Sequence, residues 1–410
     1  MSDNLIFNSM DNPVPAVRKD IQLIPLQYNG DRVLYVHDIM EYIPSDFALN
    51  PHVESFLTLF NGRFSIQRIL AMVEGQIDGQ DLLQFVQLLD KNCLLESPNY
   101  RETARQKEEA FELSPARGAA LAGNSYPEDP DELEKYLSDL FSPFTCSESV
   151  QFPEKALYAP HIDPKAGGDV YAKAFSVLRT LTPERVVILG TSHYAGCYPE
   201  LYANTPFIGS RKIFELPNGR IPTDSGYLEE LERAGETIGY TAQDRAHRIE
   251  HSIELHLLFA RHIWQHDFSV VPILVNSFED LFYFPESYLR EQLERFFSFL
   301  KAADDNNTFY LISGDLAHVG KKFGDKIPAA EMKKDVESFD RKFIQSATDN
   351  NPDELFRLLH DFSDRYRTCG FPPLYTFLKA FSGLKGTEID YHWWDETERE
   401  SAVSFGAISY

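Results

Sequence analysis

Four apolar, β-rich runs of strand length constrain this chain most: ALYAPHI (156–162), RVVILGTSH (185–193), FSVVPILVN (268–276) and TFYLISGDLAH (308–318). Helical stretches separate them. Near-continuous apolar strands must be covered on both faces, and strands alternating with helices supply that cover. The expected fold class is therefore α/β, with a mostly parallel central sheet flanked by helices. The last residues, AVSFGAISY (402–410), read as one further strand.

Three of the four runs pass from apolar residues through a small or polar turn into a histidine: Ala-Pro-His161, Gly-Thr-Ser-His193 and Gly-Asp315-Leu-Ala-His318. In open α/β sheets the crevice beyond the carboxyl ends of the strands is where loops converge and ligands bind. The three histidines and Asp315 are expected to meet there. A single histidine so placed would more simply cap its strand; three in the same position point to chemistry. A further cluster lies in AHRIEHSIELH (246–256), which reads as a helix with His247 and His251 one turn apart and Glu250 and Glu254 likewise. His247 to His251 also matches HxxEH, in which two histidines bind zinc and the glutamate acts as general base. That motif needs a further carboxylate ligand on a downstream helix, and no residue marks one.

The first hundred residues have a different texture. IQLIPLQYNGDRVLYVH (21–37) reads as two short strands around an Asn-Gly turn. LNPHVESFLTLFNG, SIQRILAMVEG and GQDLLQFVQLLDKNCLLES follow as short amphipathic helices with glycine or asparagine stops. Residues 98–116 are charged and poorly apolar, a linker or an exposed helix. The expected division is a small module over 1–97, a linker over 98–117 and a large domain over 118–410. With its hairpin, Leu49-Asn50, the Asn61-Gly62 break and the Leu94-Leu95 end, the module resembles the PqqD-like family of small winged-helix domains. That resemblance implies a peptide ligand; a structural or partner-docking extension is the alternative.

Charge and cysteine usage exclude several classes. A formal net charge of −24 and a pI near 4.9 leave no basic stripe for phosphate, so nucleic acid is not an expected partner. The opening residues lack the charged start and apolar core of a secretory signal, and no run approaches the ~18 apolar residues of a spanning helix. A cytoplasmic protein with no membrane partner is expected. Cys93, Cys146, Cys197 and Cys369 show no CxxC spacing, which argues against a disulfide framework or a zinc knuckle.

GNSYPEDPDELEKYLSDLF, AHRIEHSIELHLLF, VVPILVN, SGDLAHVGKKFG, TCGFPPLYTFL and AVSFGAISY occur in the order found in the Memo family, which includes protein B of the AmmeMemoRadiSam system. The resemblance covers about residues 118–410. It implies a fold similar to class III extradiol dioxygenases, which use a non-haem iron(II). Carried over by position, the metal ligands are His161, His193 and Cys369, with mononuclear iron(II) expected and copper or zinc as alternatives. Asp315, His318, His247 and His251 then fall beside the metal as proton-handling groups. The family often has Ala-Pro-His-Ala-Gly-Tyr and Ser-His-His where this chain has Ala-Pro-His161-Ile-Asp163 and Ser-His193-Tyr194. Asp163 and Tyr194, with Glu250, are thus the expected substrate contacts. The implied function is a metal-dependent enzyme of redox or oxygenase type with radical-SAM and AMMECR1-like partners. The alternative is a peptide-binding adaptor, with an HxxEH hydrolase behind it.

Overall fold

The apolar runs become the parallel centre of one large sheet, because side chains on both faces of each strand are buried. The structure, a computed structural model, describes residues 3–28, 30–73, 77–144 and 155–410. Asn29 of the expected Asn-Gly turn, the expected helix stop at Glu74-Gly75 and Cys146 lie outside the described residues. The chain divides into two units, residues 1–113 and 114–410.

In the first unit β1 (Ile21–Tyr28) and β2 (Asp31–Asp38) pair antiparallel, from Ile21 opposite Asp38 to Tyr28 opposite Asp31. The short β3 (Ala48–Leu49) extends the sheet beyond β2. Ser65 caps the helix Ile66–Met72 and Asp78 the helix Gly79–Lys91, each side chain accepting from a first-turn N–H. Leu82, Leu83, Val86 and Leu89 form the buried stripe of the second helix. The charged stretch after Ser97 is helical over Pro98–Leu113, buries Ala104 and Glu108, and belongs to this unit.

The second unit holds a nine-stranded sheet. In spatial order its strands are β10 (Tyr240–Thr241), β7 (Phe207–Gly209), β11 (Ser269–Val275), β6 (Arg185–Thr191), β12 (Thr308–Ser313), β5 (Ala156–Ala159), β15 (Ser401–Ser409) and β13 (His318–Gly320), with β14 (Thr387–Glu396) also on β15. The four central strands, β11, β6, β12 and β5, are mutually parallel. Among the described residues antiparallel pairing appears outward of them, at β7 on β11, at β15 on β5, and at β13 and β14 on β15. Alternate strand residues such as Val187, Leu189, Ile273 and Ile312 join one core with the helices Tyr288–Ala302, Ala329–Thr348 and Phe371–Ala380. The helices Pro164–Ser176 and His251–Ile263 pack on each other and on the sheet as a separate layer. A small sheet of β4 (Ala116–Gly118), β8 (Ile213–Leu216) and β9 (Gly219–Ile221) lies in the same unit. No helix among the described residues is long and apolar enough to cross a membrane.

Candidate metal centre

Sheet register assembles the site. Ser313 pairs with both Ala159 of β5 and Gly190 of β6, so these three strands, neighbours in space but not in sequence, end at one level. Each delivers a chemistry-bearing residue two positions beyond its last strand residue: His161 after Ala159, His193 after Thr191, Asp315 after Ser313. His318 opens β13, and Cys369 lies in the turn between the helices Pro352–Phe362 and Phe371–Ala380. That turn meets the β12 loop backbone to backbone, and a Cβ on Gly314 would collide with Gly370 Cα. Only glycine admits so close an approach.

Hydrogen-bond accounting decides which ring nitrogens face the centre. Ser313 Oγ donates its single proton to Ser252 O at 2.6 Å, so it accepts from His161 Nδ1 at 3.2 Å, and that nitrogen carries the hydrogen. His193 Nδ1 donates to Glu250 Oε1 at 2.9 Å, and His318 Nδ1 donates to Arg367 O at 3.0 Å. In its neutral form each ring therefore presents an Nε2 lone pair. His161 Nε2 is 3.1 Å from Cys369 Sγ and 3.8 Å from Asp315 Oδ2, and His318 Nε2 is 4.0 Å from the same carboxylate oxygen. His251 stacks on His193 with ring centroids 4.5 Å apart, and both rings stand edge-on to His161.

Two overlapping sets of donor atoms result, His161/His193/His251 and His161/Asp315/Cys369, each with all atoms within 4.8 Å of one another. The expected triad of His161, His193 and Cys369 spans both sets, with His161 shared. Burial, reinforced by the neighbouring imidazoles, holds His161 well below its ordinary value, and burial brings His251 and His318 down to about 4. His193 moves up: burial opposes its proton, but Glu250 outweighs it. Glu250 in turn is held down to about 2 against its own burial by His193. Burial pushes Asp315 up to about 7 and, with Asp315 beside it, pushes the Cys369 thiol far up. His161, His251 and His318, which burial keeps from taking a proton, offer neutral imidazoles to a cation, whose charge would deprotonate the nearby thiol.

The support of the site was not visible in the sequence. Arg117, buried, donates to the carbonyls of His247 (3.0 Å) and Glu250 (2.6 Å) and pairs with Glu254. Glu254 also accepts from Ala120 N, Leu121 N and Tyr126 Oη. His256 Nε2 lies 3.2 and 3.0 Å from the carbonyls of Ala159 and Pro160, holding the turn that leads into His161. Thr191 Oγ1 donates to Cys369 O at 2.8 Å. Arg117 is 130 positions from His247 in sequence, and no local pattern marks it.

Several expected roles are corrected. The expected continuous helix over 246–256 breaks into a 3-10 turn, Arg245–His247, an extended Glu250 (φ −71°, ψ 127°) and a helix that begins only at His251. His247 and His251 therefore share no helix face. His247 is buried with Nε2 3.0 Å from Ile208 O and belongs to neither donor set, whereas His251 belongs to one. Glu250 is 1% exposed, and its oxygens accept from His193 N, His193 Nδ1 and Ser252 N, so it orients a ring and caps a helix. Asp163 caps the helix Pro164–Ser176 through Lys165 N (2.8 Å) and accepts from Ser125 Oγ (2.7 Å), so its carboxylate is already engaged. Tyr194 stays beside the site, half-buried, with its ring 6.3 Å from that of His193.

The family model described as Memo-like protein matches residues 117–409. A MEMO1 family protein of Aquifex aeolicus (strain VF5) is 25% identical over 401 residues, covering 96% of this chain and 100% of that protein. Such coverage extends into the first unit. A MEMO1 family protein of Methanopyrus kandleri is 28% identical over 282 residues (66% of this chain, 89% of that protein). Protein MEMO1 of Mus musculus is 25% identical over 281 residues (66% and 85%).

Proposed function

This chain belongs to the Memo-like protein family, and from that premise we propose that its second unit is a metal-dependent domain of redox or oxygenase type. In this reading His161, His193 and Cys369 hold one iron(II) ion, with copper or zinc as alternatives. The observation that carries it is the shared arrangement of His161, His193 and His318. All three are pinned through Nδ1, which leaves Nε2 as the remaining ligand atom of each ring, that of His161 3.1 Å from Cys369 Sγ.

Two imidazoles and a thiolate are borderline-to-soft donors that suit these metals. The ion, when bound, supplies a Lewis-acidic redox centre for a small oxygen-bearing substrate. Glu250 keeps the His193 ring oriented and its Nε2 free, a role that usually affects metal affinity strongly. Asp315 can hold or release a proton at Oδ2 near neutral pH, 4.0 Å from His318 Nε2. His251, stacked on His193, borders the same space. Radical-SAM and AMMECR1-like proteins are the partners this reading expects, with the first unit as the place for a peptide.

The test is elemental analysis with electron paramagnetic resonance on anaerobically purified wild type, Cys369→Ser, His193→Ala and His318→Ala. Stoichiometric iron in wild type and His318→Ala, lost in the other two, is the expected result. Full metal in Cys369→Ser would remove the thiolate from the ligand set. Absence of metal in every preparation would leave the histidine cluster as a recognition site for an anionic ligand in an adaptor.

A further inference from the structure

We propose that Arg367 and Asp325 form a latch that positions Cys369 and His318 in the metal pocket, an inference that rests on the metal reading above. Cys369 closes a stretch in which Ser363, Asp364 and Arg367 all adopt positive φ, at 50°, 40° and 54°. Residues with a Cβ rarely adopt that region, and such conformations persist only where surrounding contacts over-determine them. Here the contacts are specific. Asp364 Oδ1 accepts from Thr368 N at 2.9 Å. The Arg367 guanidinium spans both oxygens of Asp325, each at 3.1 Å, and donates to His318 O at 3.1 Å.

Arg367 therefore acts at both ends of the pocket. Its carbonyl receives His318 Nδ1, which sets that ring's tautomer, while its side chain grips the backbone of the same histidine. Asp325 also accepts from Gly320 N at 2.8 Å, tying the latch to the end of β13. His318 N donates to Tyr366 O at 2.7 Å, so the loop carrying the thiol and the strand carrying the imidazole are joined at two successive residues, Tyr366 and Arg367. The planar fork matches a carboxylate through two parallel bonds, which a lysine cannot reproduce. The side chains are 40% and 14% exposed, so solvent screens the pair and it adds little to global stability. Its effect is on position: Cys369 Sγ stands 3.1 Å from His161 Nε2 only while the loop keeps this path.

The experiment uses the full chain as Arg367→Ala, Arg367→Lys and Asp325→Asn. Cobalt(II) titration of metal-free protein is read by thiolate-to-metal absorption. The rate of iodoacetamide modification at Cys369 in metal-free protein is read by peptide mass spectrometry. All three variants should retain the wild-type circular dichroism and thermal midpoint, bind cobalt about 10–100-fold more weakly, and alkylate faster at Cys369. Unchanged affinity and unchanged alkylation in the folded variants would overturn the latch. A wild type that takes up no cobalt would sink the metal reading alone, and the alkylation rates would still decide the latch. Should Arg367→Ala fail to fold, Asp325→Asn, which keeps the arginine and the shape of its partner, decides.

Discussion

In the first unit Arg18, 2% exposed, spans Asp38 at 2.8 and 2.9 Å, reaches Asp20 at 2.6 and 3.0 Å and donates to Cys93 O. Asp38 also accepts from Met40 N, Tyr42 N and Ile43 N. Charge meets opposite charge there, and the cluster is closed. In the second unit His161 Nε2 lies 3.1 Å from Cys369 Sγ and 3.8 Å from Asp315 Oδ2, yet burial disfavours the charged form of all three groups. Both clusters are polar and buried. The first completes itself with opposite charges and stabilises a fold; the second gathers groups shifted away from their ordinary protonation ranges, a pattern found at candidate functional sites. Arg117 and Glu254, a closed pair inside the second unit, show that the difference follows the cluster and not the unit.

This contrast can be broken by removing one partner from each. Asp38→Ala leaves a buried guanidinium short of its main counter-charge and should destabilise the first unit by about 3–5 kcal/mol in urea unfolding. A cost near zero would show that the closed cluster is not a lock. The pH dependence sharpens the point. Asp38 is held low: burial works against this, but Arg18 prevails. Its contribution is therefore present above the ordinary aspartate range and is lost as pH falls through the folded value. Asp340 in the second unit, pushed up to about 7 by burial, behaves oppositely. Its folded form retains a proton that the unfolded chain releases, so stability should decline between about pH 4 and 7, by up to about 1.4 kcal/mol per pH unit. Asp340→Asn should flatten that decline, and an unaltered slope would assign it to other groups. Smaller still, Cys369→Ser in metal-free protein should cost about 1 kcal/mol or less, because the open cluster does not serve stability. A loss comparable to that of Asp38→Ala would make it structural. Arg105→Ala, which removes two exposed ion pairs on the helix Pro98–Leu113, should leave the thermal midpoint unchanged.

The strand runs and their histidine ends were readable because apolar continuity and local turn chemistry are properties of adjacent residues. His161, His193 and His318 were found this way, as was Asp315. Cys369 was not: it lies in a loop without periodicity, and only family resemblance singled it out. Glu250 and His247 depart from the expected helix for one reason. Their spacing suits a helix, but the carbonyls of His247 and Glu250 are gripped by Arg117, and Glu250 is held extended as a cap. Asp163 is expected at substrate because it departs from a family pattern; its place as the N-cap before Pro164, the first residue of a helix, explains it as well.

Patterns along the chain were sufficient for the α/β class, the parallel centre and the convergence of histidines at the strand ends, since these depend on hydrophobic burial and residue periodicity. Which nitrogen each histidine presents, which carboxylates are engaged and how closely the thiol approaches were settled by contacts between residues far apart in sequence. Ser313 reaches His161 across 152 positions, and Cys369 reaches it across 208. Hydrogen-bond direction and charge balance belong to neighbours in space, and folding creates those neighbours.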